Sequence, residues 1–536
     1  MRLVDFLDKS LALSSPEALE AKFFDLENNI DFSYPEMVNA SIHLANFLDQ
    51  KGVKAQDIVA TYTPNCVAAY CCIFAISRLG AVWLPLNTKN TFDANLKLIR
   101  LSNANFLFID KRFDKKITES LNELGSENIA YLETNKIADI TFSSLKNKAE
   151  KNFQAKTYPL KKDISINESS GSSIKELVSL FPTGGTTGDQ KLAEWRTDTW
   201  EAIVDIQKKQ MKITDVRPCY LVSAAMTHAA GIGSFSTIKE GGSILVMDDF
   251  SPEKILSAIQ KYKVTTLFLP PTAIYMLLDF EDIRLYDYGS LRYFWYAAAP
   301  MSIDKLKEAI SIFGPVMVQT YGQAEAPMIC TFFSAEDHIK ALNKNDISIL
   351  GSCGKASPDI EIAVLSESGD PLPSGSKGEV AIKGRLLMNK YFNNMKATKS
   401  IRINGWQLTG DMGIFDKEGY LSLVDRKGDM IISGGFNVYP GEIEQLIWGI
   451  PAIKDCAVIG IPHEKWGEQV TAIIELKDNN KAPEELEIIN LCKKQLGSVK
   501  APKKVIIIDE LPRSPVGKVL KKDLRAVFWK NEKKKI

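Results

Sequence analysis

The chain has 536 residues, and its 66 basic residues balance its 66 acidic residues, so it is long enough for two domains and its charge gives no support to a nucleic-acid partner. The N-terminus lacks the apolar core of a signal peptide, and the apolar stretch over 67–76 is too short to span a bilayer. The eight cysteines include no Cys-x-x-Cys pair, so the sequence predicts a cytoplasmic protein with reduced thiols and no transmembrane segment.

Between residues 33 and 330, helical patterns alternate with short apolar runs, which predicts a layered α/β architecture. Ser33-Tyr34-Pro35-Glu36 is a capping box, and the apolar residues that follow on one face predict a helix that ends at Gly52. The same signals predict a helix after Ser251-Pro252, a strand over 264–269, a helix after Ser302 and a strand over 316–322.

Residues 181–191 form a glycine-rich segment, Phe-Pro-Thr-Gly-Gly-Thr-Thr-Gly-Asp-Gln-Lys, after an apolar run over 176–181 that predicts a buried strand. The glycines let the backbone approach phosphates closely, the threonines add hydroxyl donors, and Lys191 supplies a cation. Two residues separate Gly188 from Lys191, so the segment is not the P-loop of common NTPases. We interpret it as a loop that holds a polyphosphate, and a glycine-rich surface turn is the alternative.

Two further segments carry residue types suited to a nucleotide. The segment 319–325 ends a predicted strand, where open α/β sheets place ligands, and there Tyr321 offers a flat face for a base. Glu325 offers a hard oxygen ligand for Mg²⁺, although a solvated loop carboxylate is the alternative. The segment 405–411 ends in Asp411 after a tight glycine turn, and this carboxylate can accept both hydroxyls of a ribose.

The pattern changes near residue 425, where a compact α+β unit of about a hundred residues begins. We predict an N-terminal domain over 1–424, a hinge over 425–429 and a C-terminal domain over 430–536. The predicted elements of the C-terminal unit are a helix over 442–449, strands over 456–461 and 470–476, a helix over 483–496, a strand over 504–508 and a helix near 521.

The order and spacing of these segments resemble the adenylate-forming superfamily, specifically the acyl-CoA synthetases or AMP-binding enzymes, from about residue 30 to 525. The resemblance also rests on Asp425-Arg426, on 433–444 (Ser-Gly-Gly-Phe-Asn-Val-Tyr-Pro-Gly-Glu-Ile-Glu) and on 511–518 (Leu-Pro-Arg-Ser-Pro-Val-Gly-Lys). It implies a large multi-layered α/β N-terminal domain and a small mobile α+β C-terminal domain that carries a catalytic lysine.

The resemblance also implies a role for individual residues toward ATP, Mg²⁺ and CoA. Lys518, Glu325, Lys191 and Thr186 are the implied catalytic residues, and Glu325 and Thr186 are the implied metal ligands. The implied ATP-binding residues are Thr183, Gly184, Gly185, Thr186, Thr187, Gly188, Lys191, Ala298, Ala299, Pro300, Tyr321, Gly322, Asp411 and Arg426. The implied CoA residues are Gly434 and Gly435, and the implied hinge residue is Gly428.

The segment 226–231 resembles the family segment that walls the acyl pocket. It gives His228 and Gly231 as pocket residues, with a plain core histidine as the alternative for His228. Phe294, Trp295 and Tyr296 are candidates for the same pocket, of which Tyr296 is the one assigned, although an aromatic strand is more often plain core. Amino-acid-activating relatives carry an Asp near the start of this segment, where this chain has Ser-Ala-Ala-Met-Thr, so we expect an uncharged acyl tail. The chain departs from the residues usual in the family at three places: Ala324 replaces a threonine, Asp189-Gln190 replaces a pair ending in proline, and Gly428 replaces Asp or Lys. These departures leave the rate of the implied reaction open.

The implied reaction activates a carboxylic acid to acyl-AMP with release of pyrophosphate and then transfers the acyl group to CoA, which describes a fatty-acid or aryl-acid:CoA ligase. One alternative is a fatty acyl-AMP ligase that loads a carrier protein, although no inserted segment of that kind is evident. Another is a nucleotide-binding protein without catalysis. The expected partners are small molecules, namely the acid, ATP and CoA, and a homodimer is left open.

Overall fold

A computed structural model describes most of the chain. The described residues are 1–11, 20–113, 128–133, 136–137, 140–141, 175–183, 190–477, 482–514 and 517–529. Six residues of the predicted phosphate loop, Gly184, Gly185, Thr186, Thr187, Gly188 and Asp189, therefore lie outside the described part.

The strands are numbered along the chain. They are β1 (Lys22–Asp25), β2 (Ile30–Ser33), β3 (Ile58–Tyr62), β4 (Val82–Pro85), β5 (Phe106–Asp110), β6 (Ile129–Glu133), β7 (Lys136–Ile137), β8 (Ile140–Thr141), β9 (Leu177–Thr183), β10 (Lys191–Arg196), β11 (Cys219–Val222), β12 (Ser243–Val246), β13 (Thr266–Leu269), β14 (Tyr293–Tyr296), β15 (Met317–Gln323), β16 (Ala326–Phe333), β17 (Lys355–Ala356), β18 (Ile360–Leu365), β19 (Lys377–Gly384), β20 (Arg402–Ile403), β21 (Trp406–Phe415), β22 (Leu421–Arg426), β23 (Ile431–Ser433), β24 (Phe436–Val438), β25 (Ile453–His463), β26 (Gly467–Leu476) and β27 (Lys504–Ile508).

The α-helices are numbered in the same way. They are α1 (Leu3–Leu11), α2 (Tyr34–Gln50), α3 (Val67–Arg78), α4 (Phe92–Ser102), α5 (Thr197–Gln210), α6 (Ala229–Lys239), α7 (Pro252–Tyr262), α8 (Pro271–Leu278), α9 (Ile303–Phe313), α10 (Ala335–Asn343), α11 (Ile347–Leu350), α12 (Met395–Ser400), α13 (Pro440–Trp448), α14 (Glu485–Lys500) and α15 (Lys521–Phe528).

Two large sheets build the N-terminal part. The first has the order β17-β16-β15-β14-β13-β11-β12-β1-β2, and the second has the order β10-β9-β4-β3-β5-β6-β7-β8. In the first sheet, β13, β14 and β15 run parallel, so their carboxyl ends meet at one edge. This edge carries the segments that the sequence assigned to the nucleotide.

Helices lie between and outside these sheets. The main core joins both sheets through the central helices, with Phe74 of α3 and Trp200 of α5 fully buried. A second core covers the other face of the first sheet and includes Leu256 of α7 and Leu306 of α9. A third core packs α4, through Leu98, on the outer face of the second sheet. The layered α/β architecture predicted from the sequence is confirmed.

Two smaller sheets complete the chain. The third has the order β18-β19-β21-β20 with β22 paired to β21, and the fourth has the order β24-β23-β26-β25 with β27 paired to β26. The predicted hinge over 425–429 lies where the chain passes from β22 of the third sheet to β23 of the fourth. The domain bounds themselves stay a prediction.

Local signals located most elements within a few residues. The capping box at Ser33 and Glu36 is present and begins α2. Ser251 caps α7 through its hydroxyl, whereas Ser302 precedes α9 without a side-chain cap. All eight cysteines are buried and unpaired, as the sequence predicted. Within the described ranges, no helix is long and apolar enough to cross a membrane.

Candidate active site

The described ends of the glycine-rich segment form a hairpin. Thr183 at the end of β9 is the cross-strand partner of Lys191 at the start of β10. Behind them, Phe181 and Trp195 stack with their ring centroids 3.7 Å apart, which fixes the two strands beneath the loop. The Lys191 ammonium lies 5.0 Å from the centroid of the Tyr391 ring. The loop therefore begins and ends on two paired strands, and the cation Lys191 lies at its C-terminal end.

Glu325 lies in the turn between β15 and β16, and its backbone is clamped. Its carbonyl oxygen accepts hydrogen bonds from the Met388 N–H at 2.9 Å and from the Gln407 side-chain amide at 2.7 Å. Its carboxylate oxygen Oε1 accepts a hydrogen bond from the Tyr391 hydroxyl at 2.7 Å. Among the described residues, Oε2 has no recorded protein partner, so this oxygen can ligate a metal.

The donor set around Glu325 fits Mg²⁺ bound together with a nucleotide. No cluster of three His, Cys, Asp or Glu side chains occurs in the described ranges. Mg²⁺ usually takes one or two protein carboxylates and fills its remaining positions with water and phosphate oxygens. One clamped carboxylate with a free oxygen matches that pattern.

Asp411 of β21 is held between two strands. It is the cross-strand partner of Arg426 on β22, and the Arg426 Nε lies 2.6 Å from its Oδ1. Its Oδ2 accepts a hydrogen bond from the Tyr321 hydroxyl at 2.5 Å. Burial, then the Asp411 charge, raises the pKa of Tyr321, so this hydroxyl stays protonated and donates. Three predicted ATP-binding residues thus form one linked unit, in which Tyr321 and Asp411 are buried and Arg426 is partly exposed.

The predicted adenine-binding residues lie at the carboxyl ends of β14 and β15. Ala298, Ala299 and Pro300 follow β14 after the single residue Ala297, and Ala298 has a φ of 77°, a conformation that favours glycine. At Gly322 in β15, an added Cβ would lie 2.6 Å from the backbone nitrogen of Met328. Only glycine fits at position 322, because the backbone of Met328 approaches it too closely for a side chain.

Lys518 is brought to the same site from the C-terminal part. Its loop is closed by Ser514, whose N–H donates to the Lys518 carbonyl at 2.7 Å. An added Cβ on the preceding Gly517 would lie 2.7 Å from the Thr272 hydroxyl of α8, so the loop touches the N-terminal part closely. Although the residue keeps solvent access, the protein around its amine lowers the pKa of Lys518 to about 8.

The charges that act on Lys518 identify its neighbours. After burial, the positive charge of Arg426 is the next cause that lowers the Lys518 pKa, and the negative charge of Asp411 opposes it. The charges of two residues predicted to bind the ribose therefore both act on the amine. A cation with a pKa near 8 is still mostly charged at neutral pH and can stabilise a phosphoryl group.

The predicted CoA residues lie in an exposed turn. Gly434 and Gly435 form the exposed turn between β23 and β24, with φ angles of 59° and 82° that suit a glycine hairpin turn. The Gly434 N–H donates to the Trp466 carbonyl at 2.9 Å. An added Cβ on Gly435 would meet no described atom within 4 Å. This structure therefore brings Lys518, and not the glycine turn, against the N-terminal part.

The three predicted acyl-pocket residues are not all brought together. His228 precedes α6, and burial lowers its pKa to about 4, so it is neutral near pH 7. At Gly231, an added Cβ would lie 1.9 Å from the Met226 carbonyl, so only glycine fits. Tyr296 instead packs in the second core, where its hydroxyl lies 2.9 Å from the His338 Nε2.

Strand alternation explains the position of Tyr296. Adjacent residues of a strand point to opposite faces, and Trp295 takes the face that carries α6. An added Cβ on Gly233 of α6 would lie 2.7 Å from the Trp295 ring. Trp295 is therefore the β14 aromatic that lies on the His228 side of the sheet, and Tyr296 is not.

The predicted hinge residue Gly428 lies in a turn. The Asp429 N–H donates to the Arg426 carbonyl at 2.9 Å, which closes the turn. Within the described chain, Gly428 does not belong to the glycines with a positive φ. On the C-terminal side, Arg525 of α15 donates to Asp429 at 2.6 Å. Gly428 therefore does not use its special backbone freedom in this arrangement.

Sequence reasoning missed Tyr391 and Gln407, and of the adjacent aromatics Trp295 and Tyr296 it assigned Tyr296 to the acyl pocket. Tyr391 and Gln407 reach Glu325 from segments 66 and 82 residues away, so no local motif could reveal either contact. For Trp295, the period-2 alternation showed that it and Tyr296 face opposite sides, but only the fold shows which side carries α6.

The chain is similar to known enzymes along most of its length. The AMP-binding enzyme family matches residues 14–392, and the AMP-binding enzyme C-terminal domain matches residues 442–518. The medium/long-chain-fatty-acid–CoA ligase FadD8 of Mycobacterium tuberculosis is 36% identical over 360 residues, which are 66% of this chain and 62% of that protein. The long-chain-fatty-acid–CoA ligase FadD13 of the same species is 30% identical over 98% of this chain and 99% of that protein.

Two solved structures of one enzyme, with and without ATP, differ in their similarity to this chain. ATP-bound MatB from Rhodopseudomonas palustris is 27% identical, covers 99% of each chain and gives a TM-score of 0.84. Apo MatB, with the same identity and coverage, gives 0.75. The fold of this chain is thus more similar to the ATP-bound form of MatB than to the apo form. The chain belongs to the family of AMP-binding enzymes, and this confirms both the family and the fold class that the sequence predicted.

Proposed function

We propose that the chain activates a carboxylic acid with ATP to an acyl-adenylate and then transfers the acyl group to the thiol of CoA. The observation that carries this proposal is the position of Lys518. Its amine comes from the C-terminal part, yet the charges of Arg426 and Asp411 shift its pKa. A cation thus stands beside the nucleotide residues where a phosphoryl group would react.

In the first step, a carboxylate oxygen of the acid bonds to the α-phosphorus of ATP, and the bond to the bridging oxygen breaks to release pyrophosphate. This step brings an anion against a polyanion, so its main need is positive charge at the phosphates. Lys191 and Lys518 would supply two ammonium groups from opposite sides of the site. Mg²⁺, held by Glu325 and by the predicted ligand Thr186, would neutralise phosphate charge when bound.

Asp411, Tyr321 and Arg426 would orient the nucleotide for that attack. The Asp411 carboxylate has lone pairs beyond the two that Tyr321 and Arg426 use, so it can still accept ribose hydroxyls. Because both of its oxygens are already fixed by protein donors, no side chain must reorganise when ATP binds. This arrangement supports a site whose geometry exists before the nucleotide arrives.

In the second step, the thiolate sulfur of CoA bonds to the acyl carbon, and AMP leaves. The turn of Gly434 and Gly435 faces solvent in this structure, whereas Lys518 would serve the first step. For that turn to border the thiol, the C-terminal part must rotate about the segment 425–429 between the two steps. The hinge at Gly428 is part of this proposal.

The acid is proposed to carry an uncharged tail, fatty or aryl. His228 is neutral near pH 7 because burial lowers its pKa, so the predicted pocket offers the tail no fixed charge. The relatives named above act on fatty acids, which agrees with an apolar tail. The cytoplasmic location stays a prediction.

An acid panel tests this function. Acetate, octanoate, palmitate and benzoate are each incubated with ATP, Mg²⁺ and the enzyme, and the exchange of pyrophosphate into ATP is measured without CoA. AMP release is then measured with CoA. We expect exchange with at least one apolar acid and AMP release that depends on CoA. Pyrophosphate exchange combined with AMP release that CoA does not increase would indicate a carrier protein as acceptor, and the absence of exchange with every acid would contradict the function.

A further inference from the structure

Tyr391 lies between the two groups of opposite charge that the proposed function places around the phosphates. It is 4% exposed, and its backbone bridges to Ala193 on β10. Its N–H donates to the Thr398 hydroxyl at 3.0 Å. The backbone of Tyr391 thus contacts β10 on one side and α12 on the other, so the position from which its side chain extends is fixed.

The two ends of the Tyr391 side chain meet different partners. The hydroxyl donates to the Glu325 carboxylate at 2.7 Å, and the ring face lies 5.0 Å from the Lys191 ammonium. A ring centroid within about 6 Å of an ammonium attracts it through the ring quadrupole. One side chain therefore touches both the predicted metal ligand and the cation at the exit of the glycine-rich loop.

We propose that Tyr391 is a positioning residue that fixes one oxygen of Glu325 and leaves the other aimed at Mg²⁺, while its ring places the Lys191 ammonium beside the phosphates. This inference rests on the proposed function, and it assigns no contact with the substrate to Tyr391 itself.

The physical argument concerns freedom of rotation. A glutamate side chain has several rotatable bonds, and one fixed oxygen removes most of the orientations in which the second oxygen points away from the metal. The Tyr391 hydroxyl is a phenol, and a phenol ordinarily has a pKa of about 10, so it is protonated near neutral pH and donates to the Glu325 carboxylate. A hydrogen bond to a charged group is among the stronger ones that a neutral donor makes.

The chain contains the same arrangement outside the site. The Tyr420 hydroxyl donates to the Asp337 carboxylate at 2.9 Å, and the Lys355 ammonium lies 4.3 Å from the Tyr420 ring centroid. Neither Tyr420 nor its partners belong to the candidate site. Tyr420→Phe therefore removes an equivalent hydrogen bond and serves as a matched control.

The test compares Tyr391→Phe with Tyr420→Phe and the wild type. The phenylalanine keeps the ring near Lys191 and removes only the hydrogen bond to Glu325. Two quantities are measured: the Mg²⁺ concentration that gives half-maximal pyrophosphate exchange, and the binding of the Mn²⁺ complex of a non-hydrolysable ATP analogue, followed by electron paramagnetic resonance. The second measurement requires no turnover.

For Tyr391→Phe, we expect both the Mg²⁺ requirement and the Mn²⁺-complex dissociation constant to rise about tenfold, the scale of one hydrogen bond to a charged group. The exchange rate at saturating Mg²⁺ should stay within about threefold of the wild type, because excess metal compensates for the lost orientation. Tyr420→Phe should change neither quantity. Unchanged metal dependence in Tyr391→Phe, or a loss of rate that no Mg²⁺ concentration restores, would overturn the proposal.

A double-mutant cycle separates a positioning role from a general loss of structure. If Tyr391 acts through Glu325, then Tyr391→Phe should add less than about twofold to the metal defect of Glu325→Gln. If the effects of the two substitutions on metal dependence were fully additive, Tyr391 would not act through Glu325. If the wild type itself shows no exchange with any acid, the proposed function fails, whereas the Mn²⁺ measurement still decides the role of Tyr391.

Discussion

The two halves of the candidate active site are built differently. In the N-terminal half, Asp411 is fixed on both oxygens, by Tyr321 of the first sheet and by Arg426, which ends β22 at the start of the predicted hinge. In the C-terminal half, Lys518 sits on a loop, and the turn of Gly434 and Gly435 is exposed. Groups needed in both half-reactions are thus rigid, whereas groups needed in only one are carried by the part that can turn.

The largest expected effect comes from the mobile half. Lys518→Ala should slow adenylation by about 10²- to 10³-fold, the scale of losing one donor to the transition state. The thioester step from supplied acyl-adenylate should remain near the wild-type rate, because Lys518 serves the first step only. Rapid-quench measurement of the two half-reactions checks this, and equal damage to both would remove Lys518 from its assigned role.

The pH dependence of adenylation provides a second measurement on the same residue. Because the protein lowers the Lys518 pKa to about 8, its ammonium is present below that pH and is lost above it. The value of kcat/KM for ATP should therefore fall as the pH rises through about 8. In Lys518→Arg, this decline should move to higher pH, since arginine keeps its charge.

A smaller effect is expected in the rigid half. Asp411→Ala should raise the KM for ATP by about 10- to 100-fold, because the ribose loses hydrogen bonds to a charged group worth about 1.5 to 3 kcal/mol each. Both half-reactions use the same nucleotide site, so both should weaken. Tyr321→Phe removes only an internal partner of Asp411 and should raise KM less. An unchanged KM in Asp411→Ala would place the ribose elsewhere.

The hinge variant Gly428→Ala tests whether the mobile half turns at this residue. Gly428 does not have a positive φ here, so alanine fits this arrangement, and pyrophosphate exchange should stay near the wild-type rate. If the second arrangement needs a left-handed backbone at 428, alanine costs about 1 to 2 kcal/mol there. CoA-dependent turnover should then slow by about 5- to 30-fold. Wild-type rates in both steps would move the pivot to another residue.

The smallest effect concerns an ion pair between the halves. Lys377 of β19 lies 2.6 Å from Glu442 of α13, and this contact must break when the C-terminal part turns. Lys377→Gln should shift the ratio of adenylation to thioester formation by about two- to fivefold toward the thioester step, since exposed pairs contribute about 0.2 to 1 kcal/mol. Lys209→Gln breaks a 2.9 Å pair with Asp359 inside the N-terminal part and should leave the ratio unchanged.

The sequence revealed the parts of this site that depend on local chemistry. Asp411 follows a glycine turn and Glu325 follows a strand, so each could be proposed from its neighbours, and the family resemblance supplied Lys518. Elements such as α2 were located by their caps. The six loop residues from Gly184 to Asp189 lie outside the described part of the chain, so their contacts remain predictions.

The contacts that complete the site depend on packing between distant segments. The hydrogen bond from Tyr391 to Glu325 spans 66 residues, and nothing in the segment around Tyr391 signals a carboxylate partner for its hydroxyl. Trp295 and Tyr296 are adjacent aromatics of one strand, and only the position of α6 decides which of them lies beside His228. Tertiary structure is needed for both assignments.

The central claim is that one site performs adenylation first and thioester formation second. The most direct measurement mixes the enzyme with ATP, Mg²⁺ and a substrate acid in the absence of CoA and quantifies bound products by mass spectrometry. We predict that acyl-adenylate accumulates to about one equivalent per chain with one pyrophosphate, and that adding CoA converts it to acyl-CoA and AMP. Formation of ADP, or the absence of any acyl-adenylate until CoA is present, would contradict the account.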